Sequence, residues 1–169
     1  METYTNPAGT PGPPNVTYEK DCSIKLGNAE VAHVYHFGTA ATGGDSITFF
    51  PDLKVVTMRV FQAVMNCDCV QGGSMIEWPK TLESFLKLDI DIVIPNRENP
   101  ATKGNPQAAH DRLVKIAATA IDLVKKGTPK DKLVAQINAV DSALQVNAFF
   151  LNNQARVDAF YDEISEAAK

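Results

Sequence analysis

The chain has 169 residues, of which 44% are hydrophobic and 21% are charged, and its formal net charge is -4 at pH 7. This length suits one domain with a sizeable core, and the mild, interspersed charge argues against a nucleic-acid partner. No apolar run approaches the roughly 20 residues that cross a bilayer, and no signal peptide is visible, so no membrane partner is expected. The odd number of cysteines, three, predicts a reducing, cytoplasmic setting.

The N-terminal part of the chain is predicted to be an arm followed by short strands. Residues 1–14 are rich in Pro, Gly and Thr, which predicts a flexible arm and leaves residues 15–169 as the folded domain. Gly38 to Asp45 is predicted to be a loop. Strands are predicted where β-branched and aromatic residues alternate or cluster: 16–18, 22–26, 30–37, 46–50 and 54–58.

The C-terminal part is predicted to be mainly helical. Ser74 is a predicted N-cap for a helix that reaches Leu88. A buried strand at 90–94 follows, and Pro95 ends it. Apolar residues at helical spacing predict helices at 107–126, where Gly127 is the stop, at 129–140, and around Phe149–Ile164. This order predicts an α/β domain with one mixed sheet and helices mainly on one face.

Several short motifs in this pattern resemble those of a known fold family. Residues 40–46 read A-A-T-G-G-D-S, residues 50–56 read F-P-D-L-K-V-V, and Gly72-Gly73-Ser74, Trp78 and Pro95 follow. Together these motifs resemble the C-terminal half of the metallo-β-lactamase-fold hydrolases. The resemblance implies one half of an αββα sandwich, because family members are about twice this length. The H-x-H-x-D-H cluster of their first half does not occur in this sequence.

The resemblance also implies that the metal ligands have been lost. Ala41 stands where the family has a ligand His, Val60 where it has the bridging Asp, and Arg97 where it has the last His. Cys67 and Cys69 form a C-x-C pair, but no second Cys or His pair is spaced to complete a zinc site. We therefore expect loop cysteines here, and neither a catalytic metal nor another cofactor.

The residues that could replace the metal are arginines and a histidine. Arg59 and Arg97 are predicted to reach the former metal site and bind an organic anion or a polarised carbonyl; the alternative is that both pair with nearby acids or solvent. His36 is the predicted acid/base group, because His33 and His36 should lie on opposite faces of a regular strand. The alternative is one core histidine and one surface histidine.

The remaining candidates are two acids and an apolar wall. Asp45 is predicted to hold backbone amides of its own loop. Asp68 is predicted to pair with Arg59 or Arg97, or to act as a base. Substrate contact is predicted for four residues that are equally compatible with a core role: Tyr35, Phe61, Met65 and Trp78.

Three functions are compatible with these features. The first is a metal-independent lyase, isomerase or cyclase of small-molecule, secondary metabolism. The second is a non-catalytic pseudoenzyme that binds a small ligand or a protein partner, and the third is a hydrolase subunit that takes its ligands from another chain. Half a sandwich would also expose a sheet face that carries Ile47, Phe49 and Val55 or their alternates. A homodimer would cover that face, as would the arm or the terminal helices.

Overall fold

The computed structural model describes residues 16–27, 30–58, 67–95, 99–144, 146 and 153–169, and the predicted arm lies outside them. Five strands form one mixed sheet in the order β1-β2-β3-β4-β5. Neighbours from β1 to β4 are antiparallel, whereas β5 is parallel to β4. The strands are β1 Asp21–Leu26, β2 Glu30–Tyr35, β3 Ile47–Phe50, β4 Val55–Met58 and β5 Ile92–Pro95.

The described residues also form four α-helices: the first lies in the crossover from β4 to β5, and the other three follow β5. They are α1 Trp78–Leu86, α2 Gly104–Lys125, α3 Lys130–Val140 and α4 Gln154–Ala167. Their apolar residues and one face of the sheet share a single core. The predicted α/β class and mixed sheet are therefore confirmed. Core side chains come from α1, α2, α3, α4 and the sheet, and include Trp78, Leu113, Ile137, Phe160 and Val56.

Side chains alternate between the two faces of the sheet, and one face packs against the helices. Ile47, Phe49, Val56 and Met58 are buried on the helix side. The opposite side, here named the outer face, carries the alternate residues, so Val55 belongs with Phe50 and not, as predicted, with Ile47. In strand order the described outer-face residues are Cys22, Ile24, Ala32, Val34, Thr48, Phe50, Val55, Thr57, Ile92 and Ile94.

The predicted strand at 16–18 was wrong. These residues form no ladder and lie against the end of β2 and the start of β3. The Tyr18 hydroxyl donates to Ser46 Oγ at 2.8 Å, and the His36 amide donates to the Lys20 carbonyl at 2.6 Å. Isolated side-chain and backbone bonds therefore hold a segment whose short alternating pattern predicted a strand.

Proline and glycine residues set the ends of α2, and its start differs from the one that apolar spacing predicted. Helix α2 starts at Gly104, before the predicted residue 107, since Pro106 in the first turn removes only an amide that has no helical partner. Gly127 stops this helix as predicted. It adopts φ +82°, and the amides of Gly127 and Thr128 donate to the Val124 and Leu123 carbonyls.

Ser74 caps the turn before α1 and not the helix itself. Its Oγ accepts from the Glu77 amide at 2.8 Å, whereas α1 begins only at Trp78. The helix starts late because Pro79 can sit only in a first turn. No helix among the described residues is long and apolar enough to span a bilayer.

Candidate functional site

A cleft of about 430 Å³ lies between the 16–19 segment and the loop after β2. His36 lies just beyond the last residue of β2 and lines this cleft together with Tyr18, Glu19 and Ser46. Gly43 and Gly44 form part of its wall. The volume lies within the range of small-molecule sites, about 300–1,000 Å³.

The His36 ring is held in one orientation. Its Nδ1 lies 2.8 Å from the carbonyl oxygen of Asp45. A carbonyl oxygen can only accept a hydrogen bond, so Nδ1 carries the proton, and Nε2 of the neutral ring is left as a proton acceptor. This is the tautomer that a general base needs.

The loop that supplies this carbonyl is itself fixed by Asp45. The carboxylate of this buried residue accepts from the Thr42 amide at 2.6 Å. The prediction that Asp45 holds amides of its own loop is therefore confirmed. Because the side chain of Asp45 locks the loop and its carbonyl orients His36, one residue connects the loop geometry to the imidazole tautomer.

His33, the other strand histidine, lies apart from this cleft. Its Nδ1 lies 2.9 Å from Ser23 Oγ on β1. Its ring stacks on Tyr35, and Tyr35 stacks in turn on Phe37 with 4.9 Å between ring centroids. These three rings follow the alternation of one strand face, which separates them from His36.

The structure separates the other predicted site residues. Tyr35 lines a small internal cavity rather than the cleft. Trp78 is completely buried in the core, which favours its core interpretation over substrate contact. Four predicted site residues lie outside the described part of the chain, so their predictions stay predictions: Arg59, Phe61, Met65 and Arg97.

Asp68 pairs with an arginine that the sequence did not predict, whereas the predicted partners lie outside the described residues. Its Oδ2 accepts from the Arg156 guanidinium of α4 at 3.0 Å, and its side chain is 5% exposed. Arg59 and Arg97 were the expected partners because they are near in sequence or in the family pattern. Arg156 is 88 residues away from Asp68 along the chain, and no local signal connects the two.

A third cluster joins the loop before α1 to α4. Cys67 and Cys69 have their Sγ atoms 3.0 Å apart, and Glu163 Oε2 lies 3.6 Å from Cys69 Sγ. Glu163 also accepts from the Ser74 hydroxyl and from the amides of the next two residues. Sequence reasoning missed this carboxylate because it comes from the far end of the chain.

Comparison with known proteins identifies the fold. No protein-family model matches the sequence, and neither does any curated protein. Among solved structures, a metallo-β-lactamase from Pontibacter korlensis is similar with a TM-score of 0.52 and 18% identity, over 61% of this chain and 50% of that one.

The stereoselective inverting sec-alkylsulfatase Pisa1 from Pseudomonas sp. is similar with a TM-score of 0.62 and 12% identity, over 90% of this chain and 27% of that one. A double mutant of this sec-alkylsulfatase gives 0.58 and 12%, over 75% and 22%.

The protein therefore has the metallo-β-lactamase fold, as the sequence motifs predicted. It spans half or less of the length of these matched chains, and its single sheet with helices on one face corresponds to one half of their sandwich. At these identities the similarity establishes the fold alone.

The residue described at the implied metal position does not fit a metal. Ala41 is buried and presents a methyl group, and its carbonyl accepts from the Asp68 amide at 2.7 Å. Gly73 packs so closely on this carbonyl that a Cβ there would lie 2.3 Å from the oxygen. The implied positions Val60 and Arg97 lie outside the described residues. We therefore derive no chemistry through the family metal.

Proposed function

We propose that the protein is a metal-independent enzyme that catalyses a lyase, isomerase or cyclase step on a small molecule in the His36 cleft. The observation that carries this proposal is the 2.8 Å contact between His36 Nδ1 and the Asp45 carbonyl. It leaves Nε2 as a base in a cleft of substrate size. Reactions of this class need a positioned proton acceptor and charge stabilisation, and they do not need a metal-bound hydroxide.

The cleft also offers groups that could polarise a carbonyl. Tyr18 donates to Ser46 Oγ at 2.8 Å, and Ser46 Oγ lies 3.4 Å from the Gly44 carbonyl. The Ser46 contact is long, so its hydroxyl can turn toward a substrate oxygen at low cost. His36 would then remove a proton from the adjacent carbon while this hydroxyl stabilises the developing oxyanion.

Arg59 and Arg97 are proposed to complete the site by binding an anionic group of the substrate. The support for this step is their position in the family pattern, where a cation belongs. A charge-assisted hydrogen bond contributes about 1.5–3 kcal/mol, so Arg97→Ala should lower turnover or affinity about ten- to a hundredfold. Arg97→Lys should recover only part, because a point charge cannot reproduce the guanidinium fork. Full activity in both Arg97→Ala and Arg59→Ala would contradict this step.

The decisive experiment compares two histidines of the same chain segment. Wild type, His36→Ala and His33→Ala are incubated in D₂O with a panel of small carboxylates and ketones, and exchange or conversion is followed by proton NMR. His36→Ala should lower the rate about 10²- to 10⁴-fold, whereas His33→Ala should retain it. Activity should also persist with a chelator present. A wild type that binds panel members without converting any, or an active His36→Ala, would contradict the proposal.

A second candidate function is a non-catalytic protein that acts through a partner, and the outer face of the sheet favours it. The outer-face residues whose side chains the structure describes are uncharged, and Ile92 and Ile94 are exposed. A strand covered only on its helix side is expected to carry apolar residues on that side and polar residues on the other. Strand β1 shows the opposite arrangement. Ser23 and Lys25 point to the helix side and are exposed, while Ile24 points outward. This pattern suits a face that is covered by another sheet.

We propose that a second copy of this chain covers the outer face. The part of this face from Cys22 to Ile94 that the structure describes can stack on its own copy without opposing like charges, as a twofold interface requires. The alignment covers 50% of the matched metallo-β-lactamase chain. This supports the proposal that the sheet of this protein is completed by a second half. The homodimer is compatible with either function, and its test is given in the Discussion.

A further inference from the structure

Three side chains that can bind a metal converge at the junction between α4 and the loop before α1. Cys67 is buried and Cys69 and Glu163 are partly buried. One possible ligand atom from each lies within 4.8 Å of the other two. The cluster joins segments that are 94 residues apart, so it depends on the tertiary fold.

The Glu163 carboxylate is held in place from behind. Its Oε1 accepts from the Ser74 hydroxyl and from the Ile76 amide at 3.3 Å. Its Oε2 accepts from the Met75 amide at 3.2 Å and faces Cys69 Sγ at 3.6 Å. Such outer hydrogen bonds orient ligating carboxylates in metal sites. One lone pair of Oε2 accepts from the Met75 amide. The other faces the Cys69 thiol and can bind a cation that replaces the thiol proton.

The charges around the thiols favour a cation. The Glu163 carboxylate contacts Cys69, and the buried carboxylate of Asp68 belongs to the residue between the two cysteines. One Asp68 oxygen pairs with Arg156, and its buried Oδ1 has no hydrogen-bond partner among the residues that the structure describes. A divalent ion would compensate this concentration of acidic groups and displace the thiol protons.

We propose that Cys67, Cys69 and Glu163 bind one thiolate-preferring divalent metal ion of the zinc class, which fastens the loop before α1 to α4. Two thiolates and one carboxylate suit zinc, and water can supply a fourth ligand because Cys69 and Glu163 are partly exposed. Tetrahedral ligation at about 2.3 Å places two sulfurs roughly 3.7 Å apart. The 3.0 Å Sγ–Sγ contact therefore widens by a small rotation of the thiols on binding. This site is separate from the position of Ala41, and it takes no part in the proposed reaction.

The test is a titration of reduced, chelator-treated protein with Co²⁺ and Zn²⁺. One equivalent of Co²⁺ should give thiolate charge-transfer absorption in the near ultraviolet and the intense visible bands of a tetrahedral site. Zn²⁺ should displace it, release thiol protons and raise the melting temperature. The double variant C67S/C69S should lose the absorption, Glu163→Gln should weaken binding about ten- to a hundredfold, and Cys22→Ser should bind like wild type.

Two results would overturn the proposal. One is the lack of a cobalt–thiolate band at a tenfold excess of metal, while circular dichroism shows a folded, reduced protein. The other is a band that Cys22→Ser removes and that Glu163→Gln leaves unchanged. Glu163→Gln preserves the shape and acceptor oxygen of the side chain, so it reports on the site even if C67S/C69S fails to fold. None of these readouts depends on catalysis.

Discussion

Asp68 and Arg156 form an ion pair at 3.0 Å across 88 residues of sequence, and it fixes the loop before α1 on helix α4. The same loop contacts the loop after β2 through its backbone. The Asp68 amide donates to the Ala41 carbonyl at 2.7 Å, and the Gly43 amide donates to the Gln71 carbonyl at 3.0 Å. Helix α4 therefore supports, through two loops in contact, the turn that orients His36.

Breaking this pair should be costly. The Asp68 side chain is 5% exposed and that of Arg156 27%, so Arg156→Leu leaves a buried carboxylate without its charged partner. We expect a loss of about 3 kcal/mol in the free energy of unfolding measured with urea. Lys130→Leu is the control, since it removes the solvent-exposed pair with Asp158 and should cost less than about 1 kcal/mol. Equal losses in the two variants would contradict a supporting role for the buried pair.

The contact between the two loops predicts that alanine substitution destabilises the protein at Gly73 but not at Gly44. A Cβ on Gly73 would lie 2.3 Å from the Ala41 oxygen and 2.9 Å from the Asp68 oxygen, whereas one on Gly44 would meet nothing within 4 Å. Gly73→Ala should therefore lower the free energy of unfolding by about 3 kcal/mol, because backbone atoms must move. Gly44→Ala should stay within about 0.5 kcal/mol of wild type. Thermal melts of both variants test this, and a stable Gly73→Ala would show that the loops separate easily.

Local patterns predicted the elements well and the contacts between them poorly. Alternation and helical spacing identified β1 to β5 and α1 to α4, because one buried face imposes its period on the sequence. The contact of Asp45 with a backbone amide of its own loop was also predictable, because the two partners are only three residues apart. The partners of Asp68 and Cys69 come from α4, and pairing across about 90 residues leaves no periodic trace. Tyr18 was missed as a cleft residue because residues 16–18 were predicted to be a strand.

The thiol of Cys67 predicts a specific pH dependence of stability. Its pKa is raised in the folded protein, with the hydrogen bond to Cys69 as the largest cause, while an unfolded cysteine ionises near pH 8.5. Above that pH the unfolded chain releases a proton that the native chain keeps, so stability falls as the pH rises. Between pH 8 and 10, with chelator and reductant present, the melting temperature of wild type should fall more steeply than that of Cys67→Ala. Cys22→Ala should keep the wild-type slope, and identical slopes in all three proteins would contradict this.

The last prediction concerns the outer face and its second copy. Wild type should be a dimer by light scattering and sedimentation at micromolar concentration. Ile92→Glu should shift it to a monomer, because one new carboxylate from each copy would be buried in the interface without a partner. Val114 on α2 is the matched control, since both residues are 45% exposed. Val114→Glu should remain a dimer. A monomeric wild type, or dimer loss in both variants, would contradict the proposal, and a complex with a different protein that Ile92→Glu removes would assign the outer face to that partner instead.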